Sequence, residues 1–140
     1  MPNVSDPRQN HILAALPADG YAALLPHLEL VSMPLGHVLH ESGARMQHLY
    51  FPTTCIISRL YVMEDGSSAE TDIVGYEGVI GVALYMGGET TPTRAIVQSA
   101  GHAYCLDVNI LLNEFNHHGE LHRMLLLYTQ ALMSQVSSSM

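Results

Sequence analysis

Hydrophobic spacing changes once along this chain, near Leu28. Before it, His11, Ile12, Ala15 and Leu16 recur at helical intervals behind Asp6-Pro7, an acidic cap and a first-turn proline, which predicts a short surface helix. Residues 18–25 repeat the pattern with Tyr21, Leu24 and Leu25, and Pro26 limits it. After Leu28 come short runs of Val, Ile, Leu and Tyr, broken at Pro34-Leu35-Gly36, Ser42-Gly43, Phe51-Pro52 and Asp65-Gly66-Ser67. Short strands with regular turn signals predict a β-sandwich or a barrel-like roll. Leu49-Tyr50-Phe51 and residues 56–62 are its clearest strands. Asp65-Gly66 is the clearest hairpin turn, since both residue types tolerate positive φ.

Residues 75–88 are bracketed by glycines and too short for a full helix, so one or two helical turns closed by Gly87-Gly88 are expected. Strands resume at 93–98 and 102–106, after which Asp107 can cap a helix starting near Val108. From residue 119 to the end the pattern predicts the longest helix, apolar around most of its circumference and therefore buried on more than one side. Leu121, Leu125, Tyr128 and Leu132 follow a 4-3-4 spacing, one seam of a two-helix coil, while Met124, Leu127 and Ala131 can face the roll. A homodimer through this helix is the expectation.

Composition narrows the function classes. A length of 140 residues suits one domain, and 48% hydrophobic against 13% charged residues indicates a packed unit with a sparsely charged surface. Five arginines and no lysine stand against 13 acids, and a net charge of −8 argues against a grip on nucleic acid phosphates. Cys55 and Cys105 form no Cys-x-x-Cys pair, the first ten residues lack a signal-peptide pattern, and no apolar run reaches the roughly 18 to 20 residues that span a bilayer. Reduced thiols, a cytoplasmic location and no membrane contact are expected. Among nine histidines, His118 and His122 lie one helical turn apart with His117 and Glu120 nearby, a spacing that arises often by chance and lacks a wider ligand constellation. His37, His40 and His48 read as strand-edge or surface residues. No His-x-His pair followed by a carboxylate, Ser-His-Asp set or Cys-His set is evident, so no enzyme is expected. Two cysteines fall short of an iron–sulfur cluster.

One segment carries candidate binding chemistry. Free N–H groups at the start of a short glycine-flanked helix form a concave anion site, and an arginine adds charge and a fork of donors. Gly81, Val82, Ala83 and Leu84 with Arg94 can supply both, and Ala95 is the small residue that follows the arginine. The bland alternative is a glycine-stabilised turn with Arg94 in an ordinary ion pair.

Glu77-Gly78-Val79-Ile80-Gly81, then Leu84 and Gly87-Gly88, then Thr93-Arg94-Ala95-Ile96-Val97 resemble the phosphate-binding cassette of the Crp/Fnr transcription regulators. The resemblance in layout runs from about residue 10 to the C-terminus. It implies a mainly β fold with flanking helices, a cyclic-nucleotide-binding-like double-stranded β-helix (jelly-roll) over residues 1–118, followed by the start of a long C-terminal dimerisation helix over 119–140. It also implies a sensor domain whose DNA contacts are made only through a helix-turn-helix domain missing from this chain. No cofactor is implied beyond a cyclic nucleotide or another small anionic effector. Cyclic-nucleotide binders of the family place a glutamate after the glycine that matches Gly81, to accept the ribose hydroxyl; here Val82 stands there, and the bulkier Ile96 replaces a usual alanine. Ser138 and Ser139 fall near the positions that offer hydroxyls to the base, at a terminus prone to fray. Weak cyclic AMP binding is the expectation, and a structural dimerisation domain with a vestigial pocket is the alternative.

Overall fold

The computed structural model describes residues 6–41, 43, 47–81, 93–110, 113, 123 and 127. Asp6 caps a 3-10 turn, Pro7–Gln9, in a reciprocal box with Gln9. The chain then restarts as α1, His11–Ala14, capped by Asn10. The single surface helix expected here is thus split, and Ile12 and Leu13 are buried. Asn10 is the cause: its side chain accepts from the N–H groups of Ile12 and Leu13 and donates to the carbonyls of Pro52 and Gly78. Helix α2, Ala18–Leu24, agrees with the spacing, and Pro26 enters a closing 3-10 turn, Leu25–His27.

Seven strands follow among the described residues: β1 Glu29–Met33, β2 Val38–His40, β3 His48–Pro52, β4 Ile56–Val62, β5 Ser68–Val74, β6 Thr93–Ser99 and β7 Gly101–Asp107. They form two antiparallel sheets, one ordered β1-β7-β3 and the other β2-β6-β4-β5. The protein is mainly β with few helices among its described residues. The β4–β5 hairpin closes where expected, but only Gly66 takes positive φ (+91°). Asp65 has no need to, because its carboxylate accepts from Ser67 N and Oγ and fixes the turn from the side chain. Those bonds also hold the Asp65 carboxyl below its ordinary pKa.

Alternation sorts the core into two groups. Leu49 and Phe51 of β3 with Tyr104 and Leu106 of β7 pack under Ile12, Leu13, Leu16, Tyr21 and Leu24 of the helices. On the other side, Ile57, Val74, Ala95 and Val97 of the four-stranded sheet meet Met33 and Ala103 of the three-stranded one. The three-stranded sheet therefore lies between a helical layer and the second sheet.

Asp107 accepts from Asn109 N, and residues 108–110 are helical, as expected of a cap at that position. The seam residues Leu121, Leu125, Tyr128 and Leu132, together with His118 and His122, lie outside the described residues. Leu127, which spacing turned toward the roll, is instead 50% exposed. Among the described residues no helix is long and apolar enough to cross a membrane.

Candidate functional site

The glycine-rich segment begins as a turn. Gly78 N donates to Gly75 O, and Gly75 N donates to the Glu77 carboxylate. Ile80 and Tyr50 then exchange both backbone hydrogen bonds at 2.9 Å, an isolated antiparallel bridge onto β3. Through Gly81 the segment is a turn and a bridge paired with β3, and the rest of the stretch in which one or two helical turns closed by Gly87-Gly88 are expected lies outside the described residues. Gly81 itself is buried at φ +121°, and a Cβ there would stand 2.9 Å from Leu49 Cδ1. Glycine is required at that point by conformation and by space. Val82, Ala83 and Leu84 fall outside the described residues.

Arg94 and Ala95 are neighbours on β6, and strand alternation turns their side chains to opposite faces. Ala95 joins the core between the sheets. Arg94 pairs across the other face, its Nε 3.1 Å from Glu41 Oε1, with side-chain exposures of 36% and 60%. Its Nε is enclosed and makes no aligned hydrogen bond. A pair this exposed contributes little to stability.

Sequence reasoning missed a different set. Residues opposite one another in an antiparallel sheet share a face. Val97, Ile57 and Val74 form one such row across β6, β4 and β5, all buried. The next row on that face is His40, Ala95, Arg59 and Asp72, crossing all four strands. A bulge after Val38 places His40 beside Ala95. Arg59 grips Asp72 with two parallel bonds, Nε to Oδ1 at 2.8 Å and Nη2 to Oδ2 at 2.5 Å, and side-chain exposures are 13% and 24%. Thr71 Oγ1 donates to Asp72 Oδ1 and to the Arg59 carbonyl.

His40, expected at a strand edge or the surface, is at the edge but only 8% exposed, and its Nε2 is buried with no hydrogen-bond partner among the described residues. Burial lowers its pKa, against smaller raising effects of its own backbone and Glu41. The legible signal is Arg59 two positions from the core residue Ile57 on the strand of residues 56–62, which a period of two places on the core face. Cys55 and Cys105 are free and buried, and burial pushes the Cys55 thiol up to about 11 and raises that of Cys105 as well. Neither has the character of a reactive thiolate. Among the described residues no group of three or more His, Cys, Asp or Glu side chains is placed to hold a metal.

No protein-family model and no curated protein sequence matches the chain. Solved structures do. The N-terminal domain of a transcriptional regulator from Streptomyces coelicolor A3(2) is 19% identical with a TM-score of 0.70, covering 96% of this chain and 94% of that one. The sensor domain of the transcriptional regulator DNR from Pseudomonas aeruginosa is 13% identical with a TM-score of 0.72, covering 95% and 89%. The Thermus thermophilus catabolite activator protein is 12% identical with a TM-score of 0.76, covering 91% of this chain and 60% of its own. This is the fold of Crp/Fnr sensor domains. Within that fold the buried Gly81 and the bridge of Ile80 to β3 belong to the start of the segment that resembles the cassette, while Arg94 stands on the sheet face away from the core.

Proposed function

We propose that this chain is the sensor and dimerisation module of a Crp/Fnr-type transcription regulator, in which an effector biases the arrangement of two paired C-terminal helices. The observation that carries this is the correspondence of the whole chain with an isolated regulator N-terminal domain and an isolated sensor domain. DNA contacts belong to a helix-turn-helix domain of the full-length regulator; a chain of net charge −8 is a poor partner for phosphates. Effector control is then a population shift between two helix arrangements. Catalysis forms no part of this function.

A small anionic effector at Gly81, Val82, Ala83, Leu84, Arg94 and Ala95 is the form the family resemblance gives the site. Cyclic nucleotides are poor candidates for it, because Val82 offers no acceptor for a ribose hydroxyl. Calorimetry with cyclic AMP and cyclic GMP is expected to give dissociation constants no tighter than roughly 0.1 to 1 mM, with Val82→Glu tightening them. Low-micromolar affinity in the unmodified chain would overturn the expectation. One observation favours a second reading, a structural dimerisation domain with a vestigial pocket: Arg94 is engaged by Glu41 on the face opposite Ala95. In that case Arg94→Ala leaves all ligand binding unchanged.

A further inference from the structure

We infer that the end of β2 is a proton-operated catch on Arg94: while His40 stays neutral in the core, its neighbour Glu41 holds the arginine, and protonation of His40 lifts the strand end from β6 and frees the guanidinium for an anion. As regulation of the effector site this rests on the sensor reading above; the catch itself stands on the geometry of β2.

Two adjacent residues carry it. His40 lies opposite Ala95 of β6, on the face that packs between the sheets, and is buried. Glu41 follows it and pairs on the other face, its Oε1 3.1 Å from Arg94 Nε. A displacement of one is a displacement of the other.

Little holds this end of the sheet. β2 is three residues long, stands at the edge, and its pairing with β6 is interrupted by the bulge between Val38 and His40. The contact of Glu41 with Arg94 adds little, being half-exposed and without an aligned hydrogen bond. The strand end can therefore part from β6 while the rest of the roll stays folded.

His40 supplies the trigger. Its Nε2 is buried without a hydrogen-bond partner among the described residues. A neutral ring can leave that nitrogen as a bare acceptor at modest cost, whereas an imidazolium puts an N–H and a charge there that have to be satisfied. On this face the described residues that could share the charge are engaged or neutral. Asp72 is held by Arg59 further along the row, and burial raises the pKa of the Tyr50 phenol and the Cys55 thiol in the core between the sheets, so both stay protonated at neutral pH. Glu41 favours the imidazolium, but burial disfavours it more and lowers the pKa of the ring.

Opening returns the imidazole to water, where it titrates near its ordinary value of about 6.5. The closed strand prefers the neutral ring, so acid favours the open one, and the open population grows about tenfold between pH 7.5 and 5.5. An anion that needs the freed Arg94 gains affinity by the same factor for as long as the open form is the minor one.

The test is calorimetry of the full chain with sodium sulfate, whose charge is constant over this range, together with amide exchange of β2 read by NMR as protection factors. Between pH 7.5 and 5.5 the β2 amides are expected to lose protection about tenfold while those of β7 keep it, and sulfate is expected to bind about tenfold more tightly. His40→Phe, or His40→Leu should the larger ring not fit, should lose both responses and keep only the weak pH dependence due to the other histidines. Glu41→Gln should bind sulfate at pH 7.5 at least as tightly as the unmodified chain does at pH 5.5, and Arg94→Ala at least tenfold more weakly at both. Constant protection of β2, an undiminished pH response in the His40 variants, or no gain in Glu41→Gln where the unmodified chain binds sulfate would each overturn the catch. Loss of β2 protection in acid with no sulfate bound by any variant up to about 10 mM would keep the catch and remove Arg94 from the effector site, a failure of the sensor reading alone.

Discussion

Asn10 shows how much one side chain can hold together. It is fully buried; its Oδ1 accepts from Ile12 N and Leu13 N, and its Nδ2 donates to Pro52 O and Gly78 O at 2.9 and 2.8 Å. Thus the start of α1, the end of β3 and the turn before Gly81 are tied at one point. Alanine would remove a helix cap and leave two enclosed carbonyls unpaired, a loss of about 3 kcal/mol. Chemical denaturation of Asn10→Ala should show the midpoint falling with an unchanged slope. Aspartate is expected to be no better, because it keeps the cap but sets a carboxylate against the two carbonyls. A change below about 1 kcal/mol for alanine would mean that the turn is held in place by other contacts.

At the scale of elements, the sequence was informative where periodicity had a single meaning. Residues 56–62 alternate around a buried Ile57, and β4 has those bounds. Helix α2 ended within one residue of expectation because Pro26 leaves little choice. β5 was harder to read: Ser68, Ala69, Glu70 and Thr71 are all exposed, and pairing with β4 rather than its own pattern makes that stretch a strand. The candidate cassette was legible as glycines and an arginine. Which face the arginine takes depends on sheet register, and residue spacing within one strand does not encode which neighbour lies across it. His40, Ala95, Arg59 and Asp72 come from four strands and share a row only once the register is set.

The first part of the candidate cassette offers a sharp test of that register. Gly81 sits at φ +121° with Leu49 Cδ1 at 2.9 Å and His48 O at 3.3 Å from where a Cβ would be. Gly81→Ala has to strain the backbone and push against β3, at a cost of about 2 to 3 kcal/mol. Melting should fall by about 5 to 10 °C. Amide exchange should quicken first at Ile80 and Tyr50, whose reciprocal bonds hold the segment on β3. Unchanged protection at these two amides would show that Gly81 does not set the approach.

For the whole molecule, the open question is what the C-terminal residues do. The roll is internally complete in its packing: helices cover one face of the three-stranded sheet and the second sheet covers the other. The sequence pattern from residue 119 predicts a long helix that is apolar around most of its circumference, and such a helix has to be buried on more than one side. A second copy is the partner that supplies a matching surface, since a seam on identical helices is self-complementary. Light scattering at micromolar concentration is therefore expected to give a dimer. Leu125→Asp, on the seam of Leu121, Leu125, Tyr128 and Leu132, should weaken it at least tenfold by burying a carboxylate at a core position. Leu127→Asp is the control for the choice of seam: it lies on the other stripe and should leave the dimer intact. Disruption by Leu127→Asp alone would move the seam around the helix, and a chain that stays monomeric on concentration would remove the helix from the dimer and the dimer from the sensor's mechanism.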